Sequence, residues 1–430
     1  MALTGRAVLL ALAGVVPVAL APGWVALLGW ALLVVLLVVA DLVLAGSPRA
    51  LRLHREGPAS VRLGESVRVG LVVGNAGGRR VRGQLRDGWP PSAGDTTRRH
   101  PLDLPPGGQR LVATTLRPTR RGDRRVELVT VRSRGPLGLA ARQVSLPVPG
   151  AVRVLPAFAS RRHLPAKLAR LRELDGSTSV RVRGQGTEFD SLRDYVDGDD
   201  VRSIDWRASA RRTAVVVRTW RPERDRRVLL VLDTSRTAAA RVGDAPRLDA
   251  AMDAALLLAA LASRAGDRVD LLAVDRRVRA RVEGVGRTGL LPALVAAMAP
   301  LEADLVEADW GAAVAAVLRR MTRRALVVLL TTVDSPALEE GLLPVLPLLT
   351  ARHQVVVASV SDPQVTQLAA GRGDAYAVYG AAAAERSLLD RTALTAELAR
   401  LGADVVEGPP DELAPRLADR YLALKAAGRL

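Results

Sequence analysis

A carboxylate and two hydroxyls follow a short apolar run near the middle of the chain. The run R-V-L-L-V-L predicts a buried strand, and Asp233, Ser235 and Thr237 come directly after it at the spacing D-x-S-x-T. A loop at a strand end can turn all three side chains to one face. Hard oxygen ligands of this kind suit Mg²⁺ or Mn²⁺, which keep waters and leave a position for an acidic group from outside. The alternative is structural, with Asp233 and Ser235 satisfying the backbone at the start of a helix.

A second cluster, residues 184–218, is acidic first and basic later, with single aromatic and aliphatic residues between the charges. Two interpretations are open: a network of bidentate arginine–carboxylate pairs around apolar anchors, or a solvated run of surface charge. Catalysis by these acids would need raised pKa values, which the neighbouring arginines would lower. We therefore expect a structural role, in which the cluster clamps two soluble domains together and Trp206 is buried.

The spacing within this cluster resembles the pattern G-x-G-x-E-F-x-x-L-R-x-Y-x-x-G-D-D-x-R-x-I-D-W-x-x-S-A-R of the bacterial and archaeal DUF58 family, which is named for its unknown function. The resemblance covers nearly the whole chain after the first 46 residues. It implies that the C-terminal half is a divergent von Willebrand factor A-like domain, and that a MoxR-type AAA+ ATPase is the partner. The matching residues taken as the family signature are Gly184, Gly186, Glu188, Phe189, Arg193, Tyr195, Gly198, Asp199, Asp200, Arg202, Asp205, Trp206 and Arg211.

The same resemblance extends the candidate metal site, since D-x-S-x-T is similar to the metal-ion-dependent adhesion site of A-type domains. It implies Thr288 as the distant threonine ligand. In the run L-L-T-T-V-D-S, Thr332 stands where such domains carry an aspartate, and Asp334 is the candidate replacement two residues later. The expected cofactor is Mg²⁺ or Mn²⁺ and no other. The metal set implied in this way is Asp233, Ser235, Thr237, Thr288 and Asp334.

The composition argues against several other chemistries. The chain contains no cysteine, its four histidines are scattered, and the motifs G-x-x-x-x-G-K-[ST] and H-E-x-x-H are absent. The formal net charge of +18 is compatible with phosphate partners or an anionic membrane surface. Aromatic residues make up only 3% and the arginines are spread along the chain, which argues against nucleic acid. We predict that the chain is not an enzyme and binds no nucleic acid.

The spacing of apolar residues along the chain predicts the helices and strands that would position these residues. Strands alternate with long helices over residues 226–430, which predicts an α/β doubly wound domain whose ligands bind at the carboxyl ends of the strands. Residues 47–155 hold short period-two runs separated by turn residues, which predicts an antiparallel β-sandwich with a turn at Gly135–Leu139. Residues 156–225 are predicted to be a connector that carries the signature, with one helix ended by Gly176 and Ser177.

Residues 1–46 contain two apolar runs, 7–21 and 24–45, separated by Pro22 and Gly23. The second run is long enough to span a bilayer, and we predict a transmembrane helical hairpin with its turn at Pro22–Gly23. A signal peptide ending at Ala21 and a buried hairpin of a soluble domain are the alternatives. Asp41 lies close to the end of the second run, and its carboxylate is expected to snorkel to the interface.

Arginines flank both ends of the predicted hairpin, with Arg6 before it and Arg49, Arg52 and Arg55 after it. The positive-inside rule then predicts a multi-pass protein of the cell membrane, with two helices and cytoplasmic soluble domains. The predicted function is a membrane-anchored interaction or adaptor protein that partners a MoxR-type AAA+ ATPase. The alternatives are a metal-dependent hydrolase that uses the carboxylates of residues 188–205, and a cell-envelope scaffold of opposite topology.

Overall fold

The computed structural model describes residues 2–181, 188–212, 214–221, 226–333 and 338–430. They form two compact units, Met1–Leu155 and Pro156–Leu430, which confirms that the protein has more than one domain. The unit boundary lies at the predicted end of the β domain, and the predicted connector falls in the second unit.

Near its N-terminus the first unit has three apolar helices, α1 (Gly5–Leu12), α2 (Val15–Leu20) and α3 (Trp24–Leu44). Helix α3 has 21 residues, so it is about 31 Å long, close to the thickness of a hydrocarbon core. Within the described residues it is the one helix that is long and apolar enough to cross a membrane, with a mean hydropathy of 2.8. The preceding apolar run is split into α1 and α2, so the second spanning helix of the hairpin stays a prediction.

The rest of the first unit is an antiparallel β domain made of two sheets. The strands are β1 (Ala2–Leu3), β2 (Leu51–Glu56), β3 (Ser60–Arg62), β4 (Val67–Asn75), β5 (Val81–Asp87), β6 (His100–Leu104), β7 (Gln109–Leu116), β8 (Gly122–Arg134) and β9 (Ala140–Leu155). One sheet has the order β1-β9-β8-β5-β6, with β3 parallel to β9, and the other has the order β2-β4-β7. Leu71 and Val73 from the second sheet pack with Leu85, Val129 and Val131 from the first in one buried core, which confirms the expected antiparallel architecture.

A buried ion pair joins the two sheets. Arg55 of β2 donates two parallel hydrogen bonds to Asp87 of β5, at 2.8 and 2.6 Å, and its guanidinium lies 5.3 Å from the centre of the Trp89 ring. The Trp89 indole donates to the same carboxylate at 2.8 Å. Because both charges are nearly buried, removing either one would leave the other uncompensated.

Asp41, near the end of α3, binds the turn between β8 and β9. Its carboxylate is fully buried and accepts backbone N–H groups of Leu137 and Leu139 at 2.7 Å and of Ala140 at 2.8 Å. A Cβ on Gly135 would lie 2.1 Å from Asp41 Oδ1, so glycine permits this close approach. The prediction that Asp41 snorkels to an interface is therefore wrong, because the turn supplies the partners that water would otherwise supply.

The second unit is built around a six-stranded sheet whose strands, in spatial order, are Val278–Val282, Arg268–Val274, Arg227–Asp233, Leu326–Leu330, Gln354–Val360 and Ala403–Gly408. The helices are α4 (Leu164–Arg181), α5 (Trp206–Arg212), α6 (Arg236–Ala239), α7 (Arg247–Arg264), α8 (Arg287–Met298), α9 (Trp310–Arg320), α10 (Leu346–Thr350), α11 (Pro363–Ala369), α12 (Ala375–Arg400) and α13 (Leu413–Ala426). The strands are β10 (Glu188–Asp194), β11 (Val216–Arg221), β12 (Arg227–Asp233), β13 (Arg241–Val242), β14 (Ala245–Pro246), β15 (Arg268–Val274), β16 (Val278–Val282), β17 (Leu326–Leu330), β18 (Gln354–Val360) and β19 (Ala403–Gly408).

Five strands of this sheet are parallel, and the edge strand β16 runs antiparallel to β15. Successive residues of β12 point to opposite faces, and all of Val228–Asp233 is buried, so both faces of the sheet are covered. Leu229 and Val231 pack in a core with α9, α10 and α12, while α7 contacts β12 and β15. The carboxyl ends of the parallel strands therefore form one rim, on which the candidate site lies.

The connector differs in one respect from its prediction. Helix α4 continues through Gly176 and Ser177 to Arg181, so these residues do not end it. Near its start, Lys167 and Arg170 contact the Asp419 carboxylate of α13 at 2.6 and 3.2 Å. These contacts fasten the connector to the last helix of its own unit.

Candidate functional site

The candidate site is a carboxylate surrounded by hydroxyls at the ends of two neighbouring parallel strands. Asp233 is the last residue of β12, and Thr331 directly follows β17. Asp233 Oδ2 accepts hydrogen bonds from the Thr331 hydroxyl at 2.6 Å and the Thr237 hydroxyl at 3.0 Å. Asp233 Oδ1 accepts the backbone N–H of Ser235 at 2.8 Å, and the Ser235 and Thr237 hydroxyl oxygens lie 3.2 Å apart. Strand pairing thus brings together residues 98 positions apart in the chain.

The cluster is buried, yet it borders a small cavity. Asp233 and Ser235 are 1% exposed, and the Thr332 hydroxyl is buried without a hydrogen-bond partner in the described part of the chain. Buried hydroxyls are normally hydrogen-bonded, so the Thr332 hydroxyl is an available donor and acceptor at the cavity wall. The cavity is lined by Ser235, Thr237, Glu307, Ala308, Trp310, Thr331, Thr332 and Leu338.

The alternative that Asp233 and Ser235 only satisfy the backbone at the start of a helix agrees with the structure in part. Asp233 does satisfy a backbone N–H at the start of α6, as that alternative expects. Ser235 stands at the N-cap position of α6, but its side chain makes no capping hydrogen bond and faces Thr237 instead. The hydroxyl of Ser235 is therefore positioned with the cluster rather than used by the helix.

The structure brings together three of the five predicted metal ligands, namely Asp233, Ser235 and Thr237. Thr288 lies elsewhere, in the first turn of α8, because the antiparallel strand β16 carries the chain back toward the start of β15. There the Gly284 N–H donates to Asp270, close to where β15 begins. Thr288 is thus at the opposite end of the sheet, which corrects its assignment as a ligand. Asp334 lies outside the described residues.

Two residues of the site were missed by the sequence analysis. Thr331 bonds directly to Asp233, and its position at the end of an apolar strand was the available signal. Glu307 lines the cavity from the loop between α8 and α9, and its carboxylate pairs with Arg236 at 2.6 Å. Loop 301–309 is held along the Asp233 loop by backbone bonds from Asp304 N to Thr234 O and from Arg236 N to Val306 O.

The donor set matches a hard divalent cation in chemistry but carries little charge. One carboxylate and several hydroxyl oxygens are ligands that Mg²⁺ and Mn²⁺ accept together with waters. Among the described residues, no group of three histidine, cysteine, aspartate or glutamate side chains stands close enough to hold a metal. A cation bound at Asp233 would therefore keep open coordination positions, which an acidic group from outside could fill.

The described signature residues form a small hairpin rather than a cleft of acids. Strands β10 and β11 pair antiparallel, and the segment between them turns at Gly198, whose φ is +105°. Asp199 accepts from the Arg193 guanidinium at 2.5 Å and from the Val196 N–H at 3.0 Å. Asp200 caps the short 3₁₀ turn Val201–Ser203 by accepting the Arg202 N–H. These carboxylates are engaged in local turns.

Asp205 organises the second half of the hairpin. Its carboxylate accepts the N–H groups of Arg207 and Ala208 at the start of α5 and the Arg218 side chain at 2.8 Å. The pKa of Asp205 is lowered, first by the Ala208 N–H and then by Arg218. The pKa of Asp199 is lowered in the same way by Arg193. A general acid needs the opposite shift, so these two carboxylates are suited to structure rather than to proton transfer.

The predicted apolar anchors are less buried than expected. Trp206 is 67% exposed, which corrects the prediction that it is a buried structural residue. Tyr195 is half-buried, while Arg202 and Arg211 are exposed. Gly184 and Gly186 lie outside the described residues, and for Glu188 and Phe189 only the backbone of β10 is described.

Residues 191–402, just under half of the chain, match the family described as "Protein of unknown function DUF58". Two similar relatives are the uncharacterized protein Rv1480 of Mycobacterium tuberculosis and the uncharacterized protein Mb1516 of Mycobacterium bovis. Each is 30% identical over 200 residues, or 45% of this chain. The chain spans 61% of the length of these relatives.

Solved structures with weak similarity cover about a quarter of the chain. One is the CARDB domain of the PF1109 protein of Pyrococcus furiosus in complex with di-metal ions. It is 20% identical in sequence, and the match covers 24% of this chain and 86% of that chain with a TM-score of 0.19. Another is the ASH/PapD-like domain of human CEP192. It is 14% identical in sequence, and the match covers 25% of this chain and 88% of that chain with a TM-score of 0.18.

Proposed function

We propose that this chain is a membrane-anchored interaction protein whose strand-end cluster binds Mg²⁺ or Mn²⁺ and, through the metal, an acidic side chain of a partner. The observation that carries the proposal is the Asp233 carboxylate, held by Ser235, Thr237 and Thr331. Beside it lies the Thr332 hydroxyl, which has no hydrogen-bond partner among the described residues. The exposed apolar helix α3 supports the membrane anchor.

The fold of the second unit supports a likeness to von Willebrand factor A domains. Its sheet is parallel apart from one antiparallel edge strand, and the cluster stands at the carboxyl rim where ligands of such sheets bind. Asp233, Ser235 and Thr237 would hold the cation, with Thr331 or Thr332 as further oxygen donors. A bound cation would supply positive charge that attracts a carboxylate from outside.

The resemblance to DUF58 proteins supports a MoxR-type AAA+ ATPase as the partner. The arginines before and after the apolar runs 7–21 and 24–45 support cytoplasmic soluble domains. An outward-facing scaffold would need the reverse topology, which a reporter fused after Leu430 distinguishes. Hydrolysis by the signature acids is not favoured, because the pKa values of Asp199 and Asp205 are lowered.

The metal is tested by thermal unfolding of the full chain in detergent, with Mg²⁺, with Mn²⁺ and with chelator. At a cation concentration about 100 times the Kd, binding stabilises by about 2.7 kcal/mol, or about 5–10 °C for a unit of this size. We expect this increase in wild type and its loss in Asp233→Ala. The matched control is Asp390→Ala, which removes an exposed carboxylate of α12 and should keep the increase. Equal increases in wild type and Asp233→Ala would refute the metal site.

The partner is tested by cross-linked capture from detergent-extracted membranes, with magnesium and again with chelator. An ATPase retained only with magnesium supports the adaptor and the metal together. Retention under both conditions supports the adaptor without the metal. Absence of the ATPase under both conditions refutes the adaptor.

A further inference from the structure

Five arginines surround the point where α3 enters the β domain of the first unit. Arg142 of β9 donates to the Leu42 carbonyl of α3 at 2.9 Å, and Arg79 donates to the Val43 carbonyl. Arg49 lies in the 3₁₀ turn Pro48–Ala50 just after the helix. Arg134 ends β8, directly before the glycine that lies against Asp41, and the Arg6 guanidinium lies beside Gly138 of the same turn. We call Arg6, Arg49, Arg79, Arg134 and Arg142 the arginine collar.

Among the residues that the structure describes, no acidic side chain forms an ion pair with a collar arginine. Residues 1–50, 76–82 and 134–142 contain a single acid, Asp41, whose carboxylate is already occupied by three backbone N–H groups. Asp103 approaches this end of the unit but pairs with Arg80 and Arg82, at 2.6 and 3.5 Å. The arginines in these stretches are Arg6, Arg49, Arg79, Arg80, Arg82, Arg134 and Arg142.

The collar arginines fall into two groups. Arg79 and Arg142 contact the last carbonyls of α3, so part of their charge complements the negative end of the helix dipole. Arg6, Arg49 and Arg134 are exposed, and none of their side chains makes a hydrogen bond or an ion pair in the part of the chain that the structure describes. These three guanidiniums keep their donors for an external anion.

The helix itself indicates where that anion lies. Val39, Val43 and Leu44 are each 50–53% exposed, so the apolar surface of α3 continues down to the collar. A bilayer around α3 would bring its phosphate layer to the level of the guanidiniums, which bind phosphate through several donors. A nucleic acid at the same place would have to cover exposed hydrocarbon side chains.

We propose that the arginine collar binds the phosphates of anionic lipid headgroups at the foot of α3. This proposal rests on the membrane anchor proposed above and adds a lipid preference to it. Since the buried Asp41 carboxylate holds the end of α3 to the β domain, headgroups bound at the collar would also set the height of that domain on the membrane.

The test uses the full chain in detergent, titrated with short-chain phosphatidylglycerol, phosphatidylcholine or inorganic phosphate, with the thermal midpoint as readout. In wild type we expect phosphatidylglycerol to raise the midpoint at concentrations about tenfold lower than those at which phosphatidylcholine does so. The variant Arg49→Gln/Arg134→Gln should need on the order of tenfold more phosphatidylglycerol. The control Arg98→Gln/Arg99→Gln removes the same charge from exposed positions of the same unit and should behave as wild type.

Three results would overturn the proposal that the collar binds anionic lipid. They are equal phosphatidylglycerol titrations for wild type and the Arg49/Arg134 variant, equal effects of the two lipids on the midpoint, and an effect of inorganic phosphate equal to that of phosphatidylglycerol. Alkaline carbonate extraction of membranes separates this proposal from the anchor. Release of the chain refutes the anchor and the collar with it. Retention together with equal titrations refutes the collar alone. An unchanged midpoint of the variant without lipid shows that it folds.

Discussion

Replacing Asp41 by asparagine tests whether α3 and the β domain are joined by one carboxylate. The substitution keeps the shape of the side chain but removes its charge and one of its two acceptor oxygens. Three backbone donors, Leu137, Leu139 and Ala140, now point at the carboxylate from 2.7–2.8 Å. In the variant an amide NH₂ must face at least one of these N–H groups. At least one buried donor therefore loses its acceptor.

The magnitude follows from the number of bonds. A hydrogen bond to a charged group contributes about 1.5–3 kcal/mol, and a buried donor left without a partner costs about 1–3 kcal/mol. The remaining amide oxygen can still accept from one or two donors, so the three bonds are not lost in full. We expect a loss of about 3–5 kcal/mol in the free energy of unfolding of the first unit, or about 6–20 °C in its Tm.

Calorimetry of the full chain in detergent measures the Tm of the first unit, and hydrogen exchange with mass spectrometry measures protection of residues 135–141. Both should fall in Asp41→Asn. The matched control is Asp103→Asn, which removes an exposed carboxylate of the same unit and should lower the Tm much less than Asp41→Asn does. Equal Tm values for the two variants, with unchanged protection of the turn, would refute the idea that Asp41 holds this joint.

Two further substitutions test the buried pair and the exposed tryptophan. Asp87→Ala leaves Arg55 and the Trp89 indole buried without their acceptor, so it should destabilise the first unit by about 3–5 kcal/mol, and a Tm within about 2 °C of wild type would contradict the pairing. Trp206→Ala should change the free energy of unfolding by less than about 1 kcal/mol, because that side chain is 67% exposed; a Tm loss above about 5 °C would show that Trp206 is packed.

Local patterns predicted the elements that depend on local periodicity. The unbroken apolar run after Gly23 predicted α3, since about 20 apolar residues are enough for a helix that faces lipid. Period-two alternation predicted the strands of the first unit, because each buries one face. The D-x-S-x-T spacing after an apolar strand placed Asp233, Ser235 and Thr237 on one strand-to-helix connection, since these residues are too close in the chain to separate.

Predictions that required knowledge of distant partners were less successful. Thr288 was assigned to the metal set, but the antiparallel course of β16 carries it to the other end of the sheet. The Asp41 carboxylate was expected to reach water at the membrane interface but is buried in a turn, and Trp206 was expected to be buried but is 67% exposed. Each of these errors concerns what surrounds a side chain, which a short window of sequence does not contain.

The sequence alone determined the apolar helix, the alternating strands, the basic excess and the carboxylate–hydroxyl spacing, because these are properties of neighbouring residues. The tertiary structure alone decided that Thr331 meets Asp233 across 98 residues and that the turn after β8 encloses Asp41. Strand order and register bring such groups together, and they are set by the packing of whole sheets and helices. The arginine collar arises in the same way, since residues 6, 49, 79, 134 and 142 become neighbours only when α3 is held by the β domain.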